Sequence, residues 1–227
     1  MFVAGIDGCR AGWIAFKVDL PSLVTSVELI DLPAWLRKRP PELACLGIDI
    51  PIGLLDGSRA CDKEARRKLG QPRGTSVFAA PCRAALTSTT HAEACTVNRQ
   101  KTGRGLSQQA FHIGSKIKQV DDALTPDIQQ WAFEVHPEVC FWKLNGERSI
   151  AHNKKKEAGF NERLALLLLV FPNIQRHLDN KPQGVGKDDL LDAAVAAWTA
   201  LRRHRGEAVC VCSPEHDEKG LAVTICY

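Results

Sequence analysis

Residues 2–18 read FVAGIDGCRAGWIAFKV, two apolar runs separated by a turn that contains two glycines. This pattern is typical of a β-hairpin, and it places Asp7 at the end of the first strand. A third run, residues 23–32, is rich in β-forming residues and follows Pro21. We therefore expect the chain to open as a meander of three short strands.

The chain after the meander alternates between helical and strand patterns. Residues 33–39 have a short helical pattern, and the almost unbroken apolar run at 44–50 carries Asp49 as its only charge, which is typical of a central strand buried on both faces. Trp131 to Val135 predict a fifth strand that contains Glu134. Apolar periodicity and capping residues predict further helices at 107–124, 138–146, 157–170 and 187–204. Residues 208–212 and 221–226 predict a final hairpin.

Residues 58–125 are polar, basic and punctuated by glycine and proline. We interpret them as a helical insertion between the fourth and fifth strands. No repeat, low-complexity segment or linker divides the chain. The order of elements therefore predicts an α/β fold, a mixed sheet flanked by helices, in a single domain that spans residues 1–227.

Composition limits the possible partners and locations of this chain of 227 residues. A net charge of +4 and a pI near 8.6 permit an anionic partner without requiring one. No apolar run approaches the ~18 residues of a membrane helix, and no basic segment precedes the first strand, so we expect a cytoplasmic protein without membrane contact. The nine cysteines contain no C-x-x-C pair, which predicts reduced thiols and no structural zinc site.

Three acids, Asp7, Asp49 and Glu134, lie in segments whose neighbours should be buried. A buried carboxylate is costly unless it is paired or bound to a metal, and converging carboxylates repel one another. A hard cation such as Mg²⁺ or Mn²⁺ resolves that repulsion, so the three acids predict a metal site. The alternative is that each acid separately caps a turn or pairs with an arginine.

A second group of acids lies at the start of the last predicted helix. Asp188 and Asp192 stack at i, i+4 beside the buried face, whereas Asp189 points further toward solvent, so the first two are the better metal ligands. Acids in the first turn are also stabilised by the helix dipole. The dipole explains Asp188 or Asp189 well and Asp192 less well, and the choice between Asp188 and Asp189 stays open.

Eight segments spread over nearly the whole chain together resemble a bacterial and archaeal family of unknown function whose members are described as predicted RNase H-like nucleases. One departure is Gln119, which stands where the pattern has an acid. The segments that carry the resemblance are GIDGCRAGW (5–13), GIDIPIGL (47–54), RACDKEAR (59–66), SVFAAP (76–81), LSQQ (106–109) with KIKQVD (116–121), EVHPE (134–138) and KDDLLDA (187–193).

The resemblance implies a ribonuclease H-like core, in which a meander, a helix and further strands form a mixed sheet. It also implies that acids from the first strand, the fourth strand and the last helix surround divalent metals. Asp7, Asp49 and either Asp188 or Asp192 take those places in this sequence. Two Mg²⁺ or Mn²⁺ ions held by such acids would serve the hydrolysis of a phosphodiester bond.

Glu134 and His136 are further candidates for the predicted site. Glu134 would be an additional metal ligand or a metal-linked base. His136 is two residues further along and hence on the same strand face, where it would shuttle a proton near neutral pH. A hydrogen-bonding role at the strand end is the alternative for His136.

The insertion supplies candidate contacts to a nucleic-acid substrate. Arg59 and Arg66 share a helix face, and Arg73, Arg83 and Lys116 add positive charge that phosphates could use. The alternative is an ordinary solvated basic face.

The sequence thus predicts a divalent-metal-dependent nuclease, with DNA or RNA as substrate and an oligomeric state left open. A non-catalytic nucleotide or nucleic-acid binding protein of the same fold is the second hypothesis. Actin-like ATPases and sugar kinases are disfavoured, because they need two such cores and the chain has only one Asp-Gly hairpin, at Asp7-Gly8.

Overall fold

A computed structural model describes all residues, 1–227, and shows an α/β fold around a mixed five-stranded sheet. The strand order is β3-β2-β1-β4-β5. The central strand β1 pairs antiparallel with β2 and parallel with β4; β2 pairs antiparallel with β3, and β4 pairs parallel with β5. The bounds are β1 Phe2–Cys9, β2 Gly12–Asp19, β3 Thr25–Ile30, β4 Leu43–Ile48 and β5 Ala132–Glu134.

Ten α-helices accompany the sheet, and five of them lie between β4 and β5, where the insertion was predicted. None of the ten combines the length and the apolar character that crossing a membrane requires. The bounds are α1 Leu32–Arg37, α2 Ala60–Leu69, α3 His91–Thr102, α4 Gln108–His112, α5 Gly114–Ala123, α6 Pro126–Gln129, α7 Pro137–Leu144, α8 Glu157–Val170, α9 Ile174–Asp179 and α10 Lys187–His204.

The sheet buries a separate apolar layer on each face. Because side chains alternate across a strand, Val3, Cys45 and Phe133 face α10, whereas Ile6 and Ile48 face the side covered by α1 and α5. The α10 side is the larger of the two cores. In β1, in β5 and in β4 from Cys45 onward, odd-numbered residues therefore face α10 and even-numbered residues face the other side, and we call this odd or even position the parity of a residue.

Helix α10 lies directly on the central strand because Gly5 offers no side chain. A Cβ atom at Gly5 would lie 2.0 Å from the backbone nitrogen of Ala197 and 2.2 Å from the carbonyl oxygen of Ala193. Gly47 on β4 approaches Ala196 in the same way, at 2.9 Å. The two glycines allow backbone to meet backbone, which brings the first turns of α10 close to the ends of β1 and β4.

The predicted single helix over 107–124 is two helices, α4 and α5, with a break at Ile113. Ser107 caps the first of them as expected, accepting a hydrogen bond from the backbone of Ala110 at 3.1 Å. Gly114 follows the break, and glycine is a weak helix former. The apolar periodicity continues across the break, which is why the pattern did not reveal it.

The C-terminal segments pair as predicted, with an additional short hairpin, β6 Glu215–His216 and β7 Ala222–Val223, in the connection. The backbone of Val211 donates to Ile225, and that of Cys226 donates to Glu134 at the edge of β5. Cys210 and Cys226 form a disulfide, so the expectation of nine reduced thiols is wrong for this pair. The remaining seven cysteines are free.

Candidate metal centre

Asp7 and Asp49 lie side by side at the carboxyl end of the parallel strand pair β1 and β4. Ile6 is in register with Ile48, and the backbone N–H of Asp49 donates to the carbonyl of Ile6 at 2.9 Å. The next residue on each strand is an aspartate that faces α10, as its parity dictates. Two strands of the sheet therefore direct two carboxylates to one place.

Asp192, in the second turn of α10, supplies a third carboxylate. Oxygens of Asp7, Asp49 and Asp192 all lie within 4.8 Å of one another, a spacing at which the three could hold a metal ion. Asp192 is almost completely buried, at 1% exposure. We call these three residues the acidic triad, and its convergence confirms the prediction that Asp7 and Asp49 meet an acid of the last helix.

Burial and mutual repulsion both disfavour the ionised triad. The pKa of Asp7 is raised well above its ordinary value of 3.8, first by burial and then by the charge of Asp49. Burial also raises the pKa of Asp49, with Asp192 adding to the shift. The pKa of Asp192 is raised by burial too, against the opposing charge of Lys154. A cation in contact with the triad would therefore stabilise it.

Lys154 places an ammonium group against the triad. Its Nζ donates to Oδ2 of Asp192 at 2.5 Å, and its charge also acts on Asp7 and Asp49. Lys154 belongs to the turn between α7 and α8, residues 152–156, which we call the Lys154 turn. Its side chain is 37% exposed, so the lysine reaches into the triad from the surface.

The two acids at the first turn of α10 have other roles. Asp189 accepts a hydrogen bond from the backbone of Gly186 at 2.8 Å and so caps the helix. Asp188 lies 3.6 Å from the ammonium of Lys155 and outside the triad. Helix-end stabilisation thus accounts for Asp188 and Asp189, while Asp192 is the member of this group that joins the other acids.

Glu134 does not join the triad, contrary to the prediction that it is a further metal ligand. Its Oε2 accepts from Arg59 at 2.6 Å and from the backbone of Ile52 at 2.7 Å. The reason is parity: Glu134 is in register with Ile48, so it faces the opposite side of the sheet from Asp49. Burial raises its pKa to about 7, and the Arg59 charge acts in the opposite direction.

His136 lines the cavity beside the triad, at the N-cap of α7. Its Nδ1 is buried and has no hydrogen-bond partner. Burial, followed by the charge of Lys154, lowers its pKa to about 4. The ring is therefore neutral near pH 7, which does not agree with a proton shuttle that titrates there and leaves His136 able to accept a hydrogen bond.

Three of the five arginines and lysines predicted to contact substrate are engaged elsewhere. Arg59 is 2% exposed in its pair with Glu134, and Arg66 donates to the carbonyl of Val77 at 2.8 Å. Arg83 joins the insertion to the C-terminal loop through three acids, Asp121, Asp217 and Glu218. Arg59 and Arg83 therefore hold the fold together and do not face a substrate.

Arg73 and Lys116 remain available beside the triad. Arg73 is half-buried, and its Nε has no hydrogen-bond partner. Lys116 donates to the carbonyl of Gly12 at 2.5 Å and lies over the ring of Trp13, without an acidic partner. The same indole donates to Gln119 at 3.1 Å, so an acid at 119 is not needed to hold Trp13.

The triad opens into a cavity of about 640 Å³ between the insertion and the Lys154 turn. Asp7 and Asp49 lie in its wall, as do four basic residues, Arg73, Lys116, Lys154 and Lys155. Cavities of this size are typical of small-molecule and cofactor sites. We refer to it as the central cavity.

A further buried carboxylate, Glu138, lines the central cavity and was not among the site residues predicted from the sequence. It is 6% exposed; Oε1 accepts from the buried Arg163 at 2.5 Å, whereas Oε2 has no partner. The charge of Glu138 contributes to the raised pKa of Asp49 and of Asp192, which places it near the triad. Its place in the Glu134-Val-His-Pro-Glu138 segment was the available signal. An oxygen-rich donor set of this kind fits a hard divalent cation.

Residues 5–218 match the family described as "Protein of unknown function (DUF429)". The chain belongs to the DUF429 family. No curated protein matches this DUF429 chain, and no solved structure does. The match covers the whole triad and every residue named above from the central cavity of the DUF429 fold.

Proposed function

We propose that the protein is a divalent-metal-dependent nuclease that hydrolyses nucleic-acid phosphodiester bonds, with a ribonuclease H-like core. The observation that carries the proposal is the convergence of Asp7, Asp49 and Asp192 at one end of the sheet. A mixed sheet with acids from the first strand, the fourth strand and the last helix is the arrangement that the resemblance implies, and the sheet of this chain is mixed, with Asp49 directly after its fourth strand.

The acidic triad would hold the metal, which we expect to be Mg²⁺ or Mn²⁺. Two ions are the expected number. Carboxylate oxygens are the ligands that these cations prefer, and burial and mutual repulsion raise the pKa values of Asp7 and Asp49, so a bound cation would stabilise their ionised forms. When bound, the ions supply a Lewis acid that activates water and stabilises the leaving oxygen.

Three other residues of the central cavity, Arg73, Lys116 and His136, would bind the substrate and place its scissile group. Arg73 and Lys116 carry positive charge without acidic partners, which suits a phosphate of the backbone. The neutral ring of His136 would accept a hydrogen bond from water or from a substrate hydroxyl. Arg73 and Lys116 are both partly buried, which strengthens their interaction with a bound anion.

A second candidate is a non-catalytic protein that binds a nucleotide or nucleic acid with the same cavity. The Lys154–Asp192 ion pair favours it, because the ammonium partly neutralises the triad without any metal. In that case the basic residues of the cavity bind phosphate, and the carboxylates are structural.

A cleavage assay with matched variants distinguishes the two. End-labelled single- and double-stranded DNA and RNA are incubated with the protein in Mg²⁺, Mn²⁺ or EDTA. We expect cleavage in either metal, none in EDTA, and none by Asp7→Asn or Asp49→Asn. Asp122→Asn, which alters an exposed acid paired with Lys118, is the control for charge and purification. Retained binding without cleavage of any of the four substrates would favour the second candidate.

A further inference from the structure

Lys154 is a cation that the chain itself inserts into its candidate metal centre. The distance from its Nζ to Oδ2 of Asp192 is 2.5 Å, while Asp7 and Asp49 have no hydrogen bond from any lysine or arginine. One ammonium group thus lies near three carboxylates and forms a hydrogen bond with one of them, Asp192.

A metal ion held by the triad would compete with the Lys154 ammonium for the carboxylate of Asp192. Mg²⁺ binds carboxylate oxygens at about 2.0–2.1 Å. An ion bound to Asp192 within the triad would therefore lie only a few ångströms from Nζ of Lys154 in its present position. Two cations at that separation repel strongly in a partly buried site. A second divalent ion would be held by several carboxylates, whereas the ammonium has a single carboxylate hydrogen bond, to Oδ2 of Asp192, so it is the cation that an incoming ion displaces most easily.

The Lys154 side chain is able to leave, whereas the acids are fixed. Lys154 lies on an exposed turn and has a flexible four-carbon stem that is 37% exposed. The backbone of the turn is held by the buried Arg163, which donates to the carbonyl of His152 at 3.2 Å and to Glu138 at 2.5 Å. Displacement therefore requires a rotamer change of one lysine and no movement of the backbone.

Glu138 is a second observation that points to a cation at this position. It lies on the wall of the central cavity with its Oε2 buried and unpartnered, although Lys154 is nearby. A buried carboxylate oxygen without a partner is unfavourable. The ammonium leaves that oxygen unsatisfied, whereas a divalent ion near Asp49 and Asp192 carries more charge and binds more oxygen ligands.

We infer that Lys154 is a built-in counter-cation that occupies the triad in the metal-free protein and is displaced from Asp192 when a divalent metal binds. This inference rests on the proposed metal centre. It makes the affinity of the site for metal a balance between the ion and the tethered ammonium, and it leaves a free lysine beside the occupied centre.

Mn²⁺ binding by calorimetry, with Lys154→Met and Lys155→Met compared with the wild type, tests the inference. We expect Lys154→Met to bind Mn²⁺ about tenfold or more tightly, since wild-type protein must first break a hydrogen bond between charged groups. Lys155 is the matched control: it is the adjacent lysine on the same turn, 77% exposed and 3.6 Å from Asp188. Lys155→Met should change the affinity by less than about threefold.

Acetylation of the folded wild-type protein tests the same point without a variant, in case Lys154→Met does not fold. We expect addition of Mg²⁺ to increase acetylation of Lys154, measured by mass spectrometry, and to leave that of Lys155 unchanged. An unchanged or lower reactivity of Lys154, or an affinity of Lys154→Met equal to that of the wild type, contradicts displacement while the metal centre stands. If neither protein binds Mn²⁺, the proposed nuclease function fails as well.

Discussion

Carboxylate oxygens of Asp7 and Asp192 lie within 4.8 Å of each other, yet only Asp192 has an ammonium bound to it. Both residues could bind the same metal ion, but only Asp192 has a hydrogen bond that is lost when its charge is removed. Substitution by asparagine, which keeps the shape and removes the charge, should separate the two effects.

Asp7→Asn should leave the thermal stability of the metal-free protein equal or higher. The charge that it removes is repelled by Asp49 and accepts no hydrogen bond from a cation, and the raised pKa of Asp7 means that folding disfavours its ionised form. Melting curves with and without Mg²⁺ provide the measurement. Mg²⁺ should raise the midpoint of the wild type and not that of the variant. A large loss of metal-free stability would instead assign Asp7 a structural role.

Asp192→Asn should be less stable than Asp7→Asn, without metal, by about 1–2 kcal/mol. The substitution removes the charge-assisted hydrogen bond from Lys154. We expect a value in the lower part of the range for hydrogen bonds between charged groups, because the partly exposed lysine side chain can be solvated instead. Denaturant unfolding of the wild type, Asp7→Asn and Asp192→Asn measures the free energy of unfolding of each protein and so ranks their stabilities. Equal shifts in the two variants would contradict the assignment of the ion pair to Asp192 alone.

The stability of the metal-free protein should depend on pH through Asp7. Because the pKa of Asp7 is raised in the folded protein, the folded state keeps a proton that the unfolded chain loses above its ordinary value of 3.8. Stability due to this group is therefore present at low pH and is lost as the pH rises past that value. The difference in unfolding free energy between wild type and Asp7→Asn, measured from pH 3 upward, should fall with pH. A flat difference would show an unperturbed Asp7.

Arg59→Met should destabilise the protein by about 3–5 kcal/mol, with or without metal, because it leaves the buried Glu134 without its charged partner. Arg67→Met is the control on the same helix: the Arg67–Glu64 pair is exposed, and its loss should change stability by less than about 1 kcal/mol. Chemical denaturation measures both. A small effect of Arg59→Met would restore Arg59 as a candidate for substrate contact.

Arg73→Gln should weaken binding of a single-stranded oligonucleotide and flatten its salt dependence, by about 0.7 in the logarithmic slope for one lost phosphate contact. Mn²⁺ affinity should not change, because Arg73 contacts no acid of the triad. Fluorescence anisotropy without divalent ions, at several salt concentrations, provides the readout, with Arg67→Gln as control. If the salt dependence of binding by Arg73→Gln has the same logarithmic slope as that of the wild type, Arg73 is an ordinary solvated residue that does not contact phosphate.

Local patterns predicted most of the elements and the convergence of three acids, because both depend on periodicity and on the order of strands. The helices over 157–170 and 187–204 have the predicted bounds. The partners of Glu134 could not be predicted in this way: whether it faces Asp49 or Arg59 depends on the register between β4 and β5, which no local pattern contains. Lys154 has no signal either, since a lysine in a polar turn resembles any solvated residue.

The contact between Gly5 and the backbone of α10 makes the candidate centre preorganised. Main-chain atoms, which have no rotamers, set how far Asp192 lies from Asp7, so the ligand oxygens are arranged before an ion arrives and little conformational entropy is lost on binding. The same contact uncouples the centre from the periphery of the molecule. The long region between β4 and β5 can change in sequence and in length during evolution, and thereby change what enters the cavity, without altering the spacing of these two carboxylates.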